Sequence, residues 1–258
     1  MRILFLGDIV GRPGRSAIAR RLNALKAAWD VDWVVANGEN ASGGIGLTAQ
    51  NARQLHDAGA DVLTSGNHIW KHKDVFPCLQ SEPWLLRPAN YPPGAPGKGW
   101  DIYGVANREL AVINLLGRIF LETIDCPFRT AKHILSIISG QTRHVLVDFH
   151  AEATSEKKAL LYALDGRVSA VIGTHTHVPT ADAQITAGQT AYISDVGMCG
   201  PYHSIIGMSP EPILERLQTG LPQPFTVGKG EVVIQGVLLE TNDQGRAIEF
   251  TPVQEFVK

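Results

Sequence analysis

The chain has 258 residues, 44% of them hydrophobic and 19% charged, with a formal net charge of −2. That length leaves room for one large domain or two small ones and suffices to bury a core without disulfides. The near-neutral balance excludes a broad basic face for nucleic acid, though not a local patch. Cys78, Cys126 and Cys199 stand far apart without CxxC spacing and read as reduced thiols of a cytoplasmic protein. Only five residues separate Arg2 from Asp8, too few for a signal peptide, and no apolar run nears the ~20 residues of a membrane span.

Residues 2–7 read as a buried first strand running up to Asp8. Gly11-Arg12-Pro13-Gly14 is a turn into a helix carrying Ile18, Leu22, Leu25 and Trp29, and Pro13 suits its first position. A strand at about 32–36 delivers Asn37-Gly38-Glu39-Asn40. Gly43-Gly44-Ile45-Gly46 lacks the order of a dinucleotide or P-loop fingerprint, so it reads as a loop whose backbone passes close to the site. A helix follows from near Thr48 to Gly59, then a strand at Asp61–Ser65 leads into Gly66-Asn67-His68. This β-α-β-α-β order favours parallel pairing. Asn90–Gly99 is rich in Pro and Gly and must be loop, either a lid or a surface connection. Glu109–Leu116 is a strand, Phe128–Ile138 a helix, and Val145–Phe149 a strand ending in His150. Thr154 is placed to cap the next helix, with Glu156 in its first turn. Val168–Gly173 is a strand from which the chain must turn if His175 and His177 are to face one place, because strand side chains alternate. Thr190–Ser194, Glu231–Leu239 and Ile248–Val253 are further strands, with a helix near Pro210–Gln218. A parallel N-terminal half and a more antiparallel C-terminal half predict an α/β fold of two packed mixed sheets flanked by helices. With no repeat, low-complexity tract or linker, residues 1–258 read as one domain.

Five of the apolar runs end in residues able to hold a metal or move a proton: Asp8, Glu39 with Asn40, Asn67 with His68, His150, and His175 with His177. Open α/β sheets bind ligands beyond the carboxyl ends of their strands, so the recurrence points to one shared site. Asp8 taken alone would read as a cap of the turn into the first helix. Carboxylate and amide oxygens mixed with imidazoles suit Mn²⁺, Fe or Zn²⁺, and the absence of thiols argues against Cu(I) or an iron–sulfur cluster. Seven ligand-type residues exceed one tetrahedral zinc and suit two metals sharing a carboxylate, an arrangement that ionises a bridging water. Two divalent ions set against Asp8, Glu39 and a hydroxide leave a net positive centre, which favours a phosphate ester over a neutral amide. His68 is then placed to protonate the leaving alkoxide.

Asp8, Gly66-Asn67-His68, His150 and Gly173-Thr174-His175-Thr176-His177 together resemble the calcineurin-like metallophosphoesterases. Two positions depart from that superfamily's general pattern: Val10 stands where an Asp-x-His motif has His, and Gly38-Glu39-Asn40 replaces a Gly-Asp motif. Both departures match its YmdB-like phosphodiesterase branch. The resemblance there extends to Ile113-Asn114-Leu115, Gly117-Arg118, Asp148-Phe149-His150-Ala151-Glu152 and Asp195–Pro201. It implies that Asp8, Glu39, Asn40 and His177 hold a first metal and that Glu39, Asn67, His150 and His175 hold a second, with Glu39 bridging. It further implies His68 as general acid and two divalent ions, iron or manganese before zinc or magnesium. The expected reaction is hydrolysis of cyclic nucleotides, as 2′,3′- and also 3′,5′-cyclic phosphates, through a metal-bridging hydroxide. A phosphomonoesterase or protein phosphatase on the same site, and a non-catalytic sensor of nucleotides or RNA ends, are the alternatives. The expected partner is a small phosphodiester; RNA ends and a homo-oligomer are left open, and no membrane is expected. Arg12, Arg15 and Arg118 are weaker phosphate candidates, with solvation favoured for Arg15 and for a surface His203. Cys199 lacks an evident base and is not read as a nucleophile.

Overall fold

The structure is a computed structural model describing residues 1–104 and 109–257. Strand β1 (Arg2–Leu6) shows how the pattern makes layers: Ile3 and Phe5 enter one apolar cluster, Leu4 and Leu6 another. That split is the two-residue side-chain period of a strand buried on both faces. After β2 (Asp8–Ile9) comes α1 (Gly11–Ala28), whose Ile18, Leu22 and Leu25 pack on Leu4 and Leu6. Each such side chain, fully buried, contributes roughly 1.5–3 kcal/mol of transfer free energy. The helix starts at Gly11, so Pro13 occupies its third position rather than its first; its missing N–H falls among the first-turn donors that have no intrahelical acceptor.

Next come β3 (Trp33–Asn37), α2 (Ala49–Asp57), β4 (Val62–Thr64) and α3 (Val75–Ser81). Thr48 caps α2 by accepting a hydrogen bond from the Asn51 amide at 3.3 Å. The chain then forms β5 (Trp100–Tyr103), β6 (Leu110–Leu116), α4 (Pro127–Ile138), β7 (His144–His150), α5 (Thr154–Leu164) and β8 (Ala170–Thr174). Thr154 is the first residue of α5 and not its cap: Ala153 takes that place, without a side-chain bond. The remainder comprises β9 (Gln184–Ile185), β10 (Ala191–Ile193), β11 (Met198–Pro201), α6 (Pro210–Thr219), β12 (Val232–Thr241) and β13 (Ala247–Val257).

The strands form two mixed sheets, a seven-stranded one in the order β2-β11-β12-β1-β3-β4 with β13 on β12, and a six-stranded one in the order β5-β6-β7-β8-β10-β9. One apolar cluster lies between them, joining Ile3, Phe5 and Val35 to Val112, Leu146 and Ile172. The outer faces are covered by α1, α2 and α3 on one side and by α4 and α5 on the other. The expected sandwich is therefore present, but parallel and antiparallel pairing do not divide between chain halves. Strands β6, β7, β8 and β10 are parallel neighbours, while β12 returns to the first sheet antiparallel to β1. Asn90–Gly99 is pinned to its surroundings: Asn90 Nδ2 donates to the Leu116 carbonyl at 2.8 Å, and the Asn114 amide donates to the Gly99 carbonyl at 2.9 Å. None of the residues lining the site's cleft comes from it. No helix among the described residues is long and apolar enough to cross a membrane.

Candidate metal centre

Parallel strands bring their carboxyl ends to one edge of each sheet, and the polar tips gather there. Asp8 is wholly buried; its Oδ2 accepts the His175 backbone N–H at 3.0 Å, whereas its Oδ1 has no hydrogen-bond partner. It does not cap α1, whose cap position is Val10 without a side-chain bond. At the end of β3, Asn37 Oδ1 accepts the Glu39 amide at 3.1 Å, and Glu39 itself is wholly buried. Glu39 Oε1 lies 3.0 Å from His150 Nε2 and 3.3 Å from His68 Nδ1, and Oε2 accepts the His68 amide. Asn40 Nδ2 donates to Glu39 Oε1 and stands 3.1 Å from His177 Nε2, with its Oδ1 2.9 Å from His68 Nδ1. Past β4, a Cβ at Gly66 would fall 2.2 Å from Glu39 Oε2 and 2.3 Å from His150 Nε2, so only glycine leaves that space open. The neighbouring Asn67 Oδ1 is buried and without a partner.

The histidines are aimed by what they touch on their far sides. Thr174 Oγ1 donates to Asp148 Oδ1 at 2.7 Å and therefore accepts from His150 Nδ1 at 2.9 Å, turning His150 Nε2 toward Glu39. Such outer partners fix the tautomer of a metal-binding imidazole. His177 Nδ1 donates to the Ile206 carbonyl at 2.7 Å, leaving Nε2 3.7 Å from Asp8 Oδ1. His175 Nε2 pairs with Glu152 Oε2 at 3.0 Å, and its Nδ1 faces His150 Nε2 at 3.0 Å. Strand β8 runs one residue further than expected, to Thr174, and the chain then turns through left-handed backbone at His175 (φ 103°) and His177 (φ 64°). That conformation costs non-glycine residues about 1–3 kcal/mol each and clusters at functional sites.

The electrostatics fit a cation. Burial opposes charge on Glu39, yet His150 and His68 prevail and hold its carboxyl well below the usual carboxylate range. Burial likewise opposes charge on His150, but Glu39 and Asp8 raise it to about 9. Burial and the neighbouring His150 lower His175 to about 3, which leaves it a neutral donor of a lone pair. Burial pushes the Asp8 carboxyl up, against the pull of His177 and His150. Ligand atoms of Glu39, His150 and His175 all lie within 4.8 Å of one another. Three converging donors and two orphaned buried oxygens form a set that a divalent ion satisfies.

Contacts thus link seven of the eight expected residues, and Asn67 lies in the chain between two of the groups concerned, Gly66 and His68. A cleft of about 460 Å³ opens on Glu39, Asn40, His68, His175 and His177, and Gly44 and Ile45 do pass along it. Sequence reading gave no role to Asp148, Glu152, Lys157, Thr174 or Asp195. Lys157 Nζ and Asp195 Oδ2 form a buried ion pair at 3.0 Å, and the same oxygen accepts the Thr176 amide at 2.9 Å, between the two histidines. Asp148, Glu152, Thr174 and Asp195 lie in the matching motifs, which was their one available signal; Lys157 had none. Of the weaker candidates, His203 is 74% exposed on its side chain and lies outside the cleft lining. Arg15 is not simply solvated, since it donates to the Ala41 carbonyl and to Gln54. Burial pushes the Cys199 thiol up to about 12, which removes it as a nucleophile.

A two-sheet sandwich with carboxylate, amide and imidazole groups at its strand ends is the metallophosphoesterase architecture, and solved structures agree. A phosphatase from Mycoplasma pneumoniae superimposes with a TM-score of 0.93 at 34% identity, over 99% of this chain and 93% of that one. A hypothetical protein from Thermus thermophilus gives 0.94 at 45% identity, over 99% of both chains. The chain belongs to the YmdB-like protein family, whose model matches residues 4–253. A Bacillus subtilis (strain 168) relative, 48% identical over 95% of this chain and 92% of its own, is named 2′,3′-cyclic-nucleotide 2′-phosphodiesterase.

Proposed function

We propose that the chain is a dinuclear metal-dependent phosphodiesterase that opens nucleoside 2′,3′-cyclic phosphates. The observation that carries this reading is the convergence of Glu39, His150 and His175 within 4.8 Å, together with buried oxygens of Asp8 and Asn67 that have no hydrogen-bond partner. The name of the Bacillus subtilis relative supports the substrate class. Asp8, Glu39, Asn40 and His177 would hold one ion, and Glu39, Asn67, His150 and His175 the other, iron or manganese suiting this oxygen-and-imidazole set. When bound, the ions supply the charge that ionises a water and neutralises the phosphoryl oxygens. His68 faces the same cleft and is held at Nδ1 by Asn40 Oδ1, so its Nε2 is the group that delivers a proton to the leaving ribose oxygen. Breaking the 2′ ester releases the nucleoside 3′-phosphate.

Protein purified without chelator would be analysed for metal and assayed with 2′,3′- and 3′,5′-cyclic AMP, bis-p-nitrophenyl phosphate and mono-p-nitrophenyl phosphate. The expected result is two metals per chain and hydrolysis of the 2′,3′-cyclic and bis-ester substrates. The phosphatase relative favours a second reading, a phosphomonoesterase, which turnover of the monoester alone would establish instead. A metal-loaded protein inert toward all four would end the enzymatic reading.

A further inference from the structure

The cleft has a second, apolar side, lined by Ile45, Ile206, Met208, Ile213 and Phe225. None of these side chains can serve phosphate chemistry, and Ile206, 48% exposed, sets apolar surface beside a charged centre. We propose that this wall is the subsite for the nucleobase and that it accepts all four bases. The inference rests on the cyclic-nucleotide reading above and adds which part of the chain meets the base. A phosphate bound at the metal centre beside Glu39 and His175 leaves the ribose and base of the same molecule to occupy the rest of the cleft. Its roughly 460 Å³ lies within the range of small-molecule sites. Isoleucine, methionine and phenylalanine side chains cover a π-face but offer no strong donor or acceptor to read a base edge, and such contacts tolerate any sequence.

The wall is also held in a fixed relation to the phosphate end. Ile205 and Met208 exchange backbone hydrogen bonds of 2.9 and 3.0 Å, closing a tight turn around Ile206 and Gly207. Ile206 sits there at φ 47°, an outlying conformation for a β-branched residue. Its carbonyl accepts from His177 Nδ1, so one strained residue both presents an apolar side chain to the cleft and orients a proposed metal ligand. Further along, α6 contains no buried residue; its Ile213 lines the cleft, while Leu217 is 76% exposed. The Arg216 guanidinium stands 5.1 Å over the Phe225 ring and braces it.

The test uses metal-loaded protein and five substrates: the 2′,3′-cyclic phosphates of adenosine, guanosine, cytidine and uridine, and of base-free methyl ribofuranoside. The four nucleotides are expected to share KM values within about fivefold, and the riboside to need roughly tenfold more. Phe225→Ala and Ile213→Ala should raise the nucleotide KM roughly tenfold, with kcat held within about twofold and the riboside unaffected. Leu217→Ala, one turn further along the same helix and outside the cleft lining, should change nothing. As a readout that needs no variant, free adenosine should inhibit bis-p-nitrophenyl phosphate hydrolysis competitively and ribose should not. Equal KM for nucleotides and riboside, variants that raise both alike, a preference among bases above about a hundredfold, or no inhibition by adenosine would each overturn the inference alone. Turnover of none of the cyclic phosphates would overturn the cyclic-nucleotide reading, and this subsite with it.

Discussion

A methyl group at position 66 would lie within 2.3 Å of both Glu39 and His150, in the space those two side chains frame. Gly66→Ala should therefore leave the fold intact by circular dichroism while weakening metal binding by at least ~100-fold, because neither buried partner can retreat without losing the other. His68→Ala should act differently, keeping its metal while turnover falls by about 10²–10⁴, the usual contribution of a general acid. Glu39→Gln should lose metal and turnover together; metal analysis beside steady-state kinetics separates the three. Behind His150, the Thr174 hydroxyl relays its orientation to Asp148, whose carboxyl burial raises to about 6. Thr174→Val should lower metal affinity about 10–100-fold with every ligand still present, measured by competition with a chelator of known strength.

The element that carries most weight outside the site is α5, which brings Lys157 under the loop of His175 and His177. Lys157 and Asp195 are each 1% exposed on their side chains, and the Asp195 carboxylate also accepts the amides of Thr176 and Gly197. Removing one partner of a buried pair leaves an uncompensated charge and costs about 3–5 kcal/mol. Lys157→Met should thus lower urea-denaturation stability by that amount in metal-free protein. Adding Asp195→Asn should restore much of the stability, since the stranded charge is gone. It should not restore metal affinity, because an amide accepts less strongly from the Thr176 backbone that sets both histidines. Equal recovery of stability and affinity would reduce the pair to a purely structural role.

Across the whole molecule, the centre ties the two sheets together, since Asp8 and Glu39 come from one and His150, His175 and His177 from the other. Metal therefore binds the assembled sandwich and not the open chain, and should stabilise it by about 2.7 kcal/mol at a hundredfold excess over Kd; a chelator should lower Tm accordingly. His144 joins the sheets near the far end, its Nδ1 2.9 Å from Thr241 Oγ1. Burial, with the Met1 ammonium nearby, lowers its pKa, so folding favours the neutral ring. The stability this adds is complete above the unfolded value near ~6.5 and is lost as pH falls through the depressed folded value. His144→Gln should flatten that part of the acid limb relative to wild type, as read by Tm between about pH 5 and 7.

The strand-end residues were legible from the chain alone because each belongs to a local pattern, an apolar run broken by a ligand-type residue, repeated five times. The unbroken apolar character of those runs, which leaves both alternating faces apolar, also determined that the strands would be buried on both faces. Pairing was not so determined: nothing in the last strands records that β12 lies beside β1, since strand order depends on contacts between segments more than 200 residues apart. The Lys157–Asp195 pair and the wall around Ile206 were hidden for the same reason. A lysine on an amphipathic helix and a pair of isoleucines after a serine look like surface and core, and only the tertiary structure shows what each is buried against.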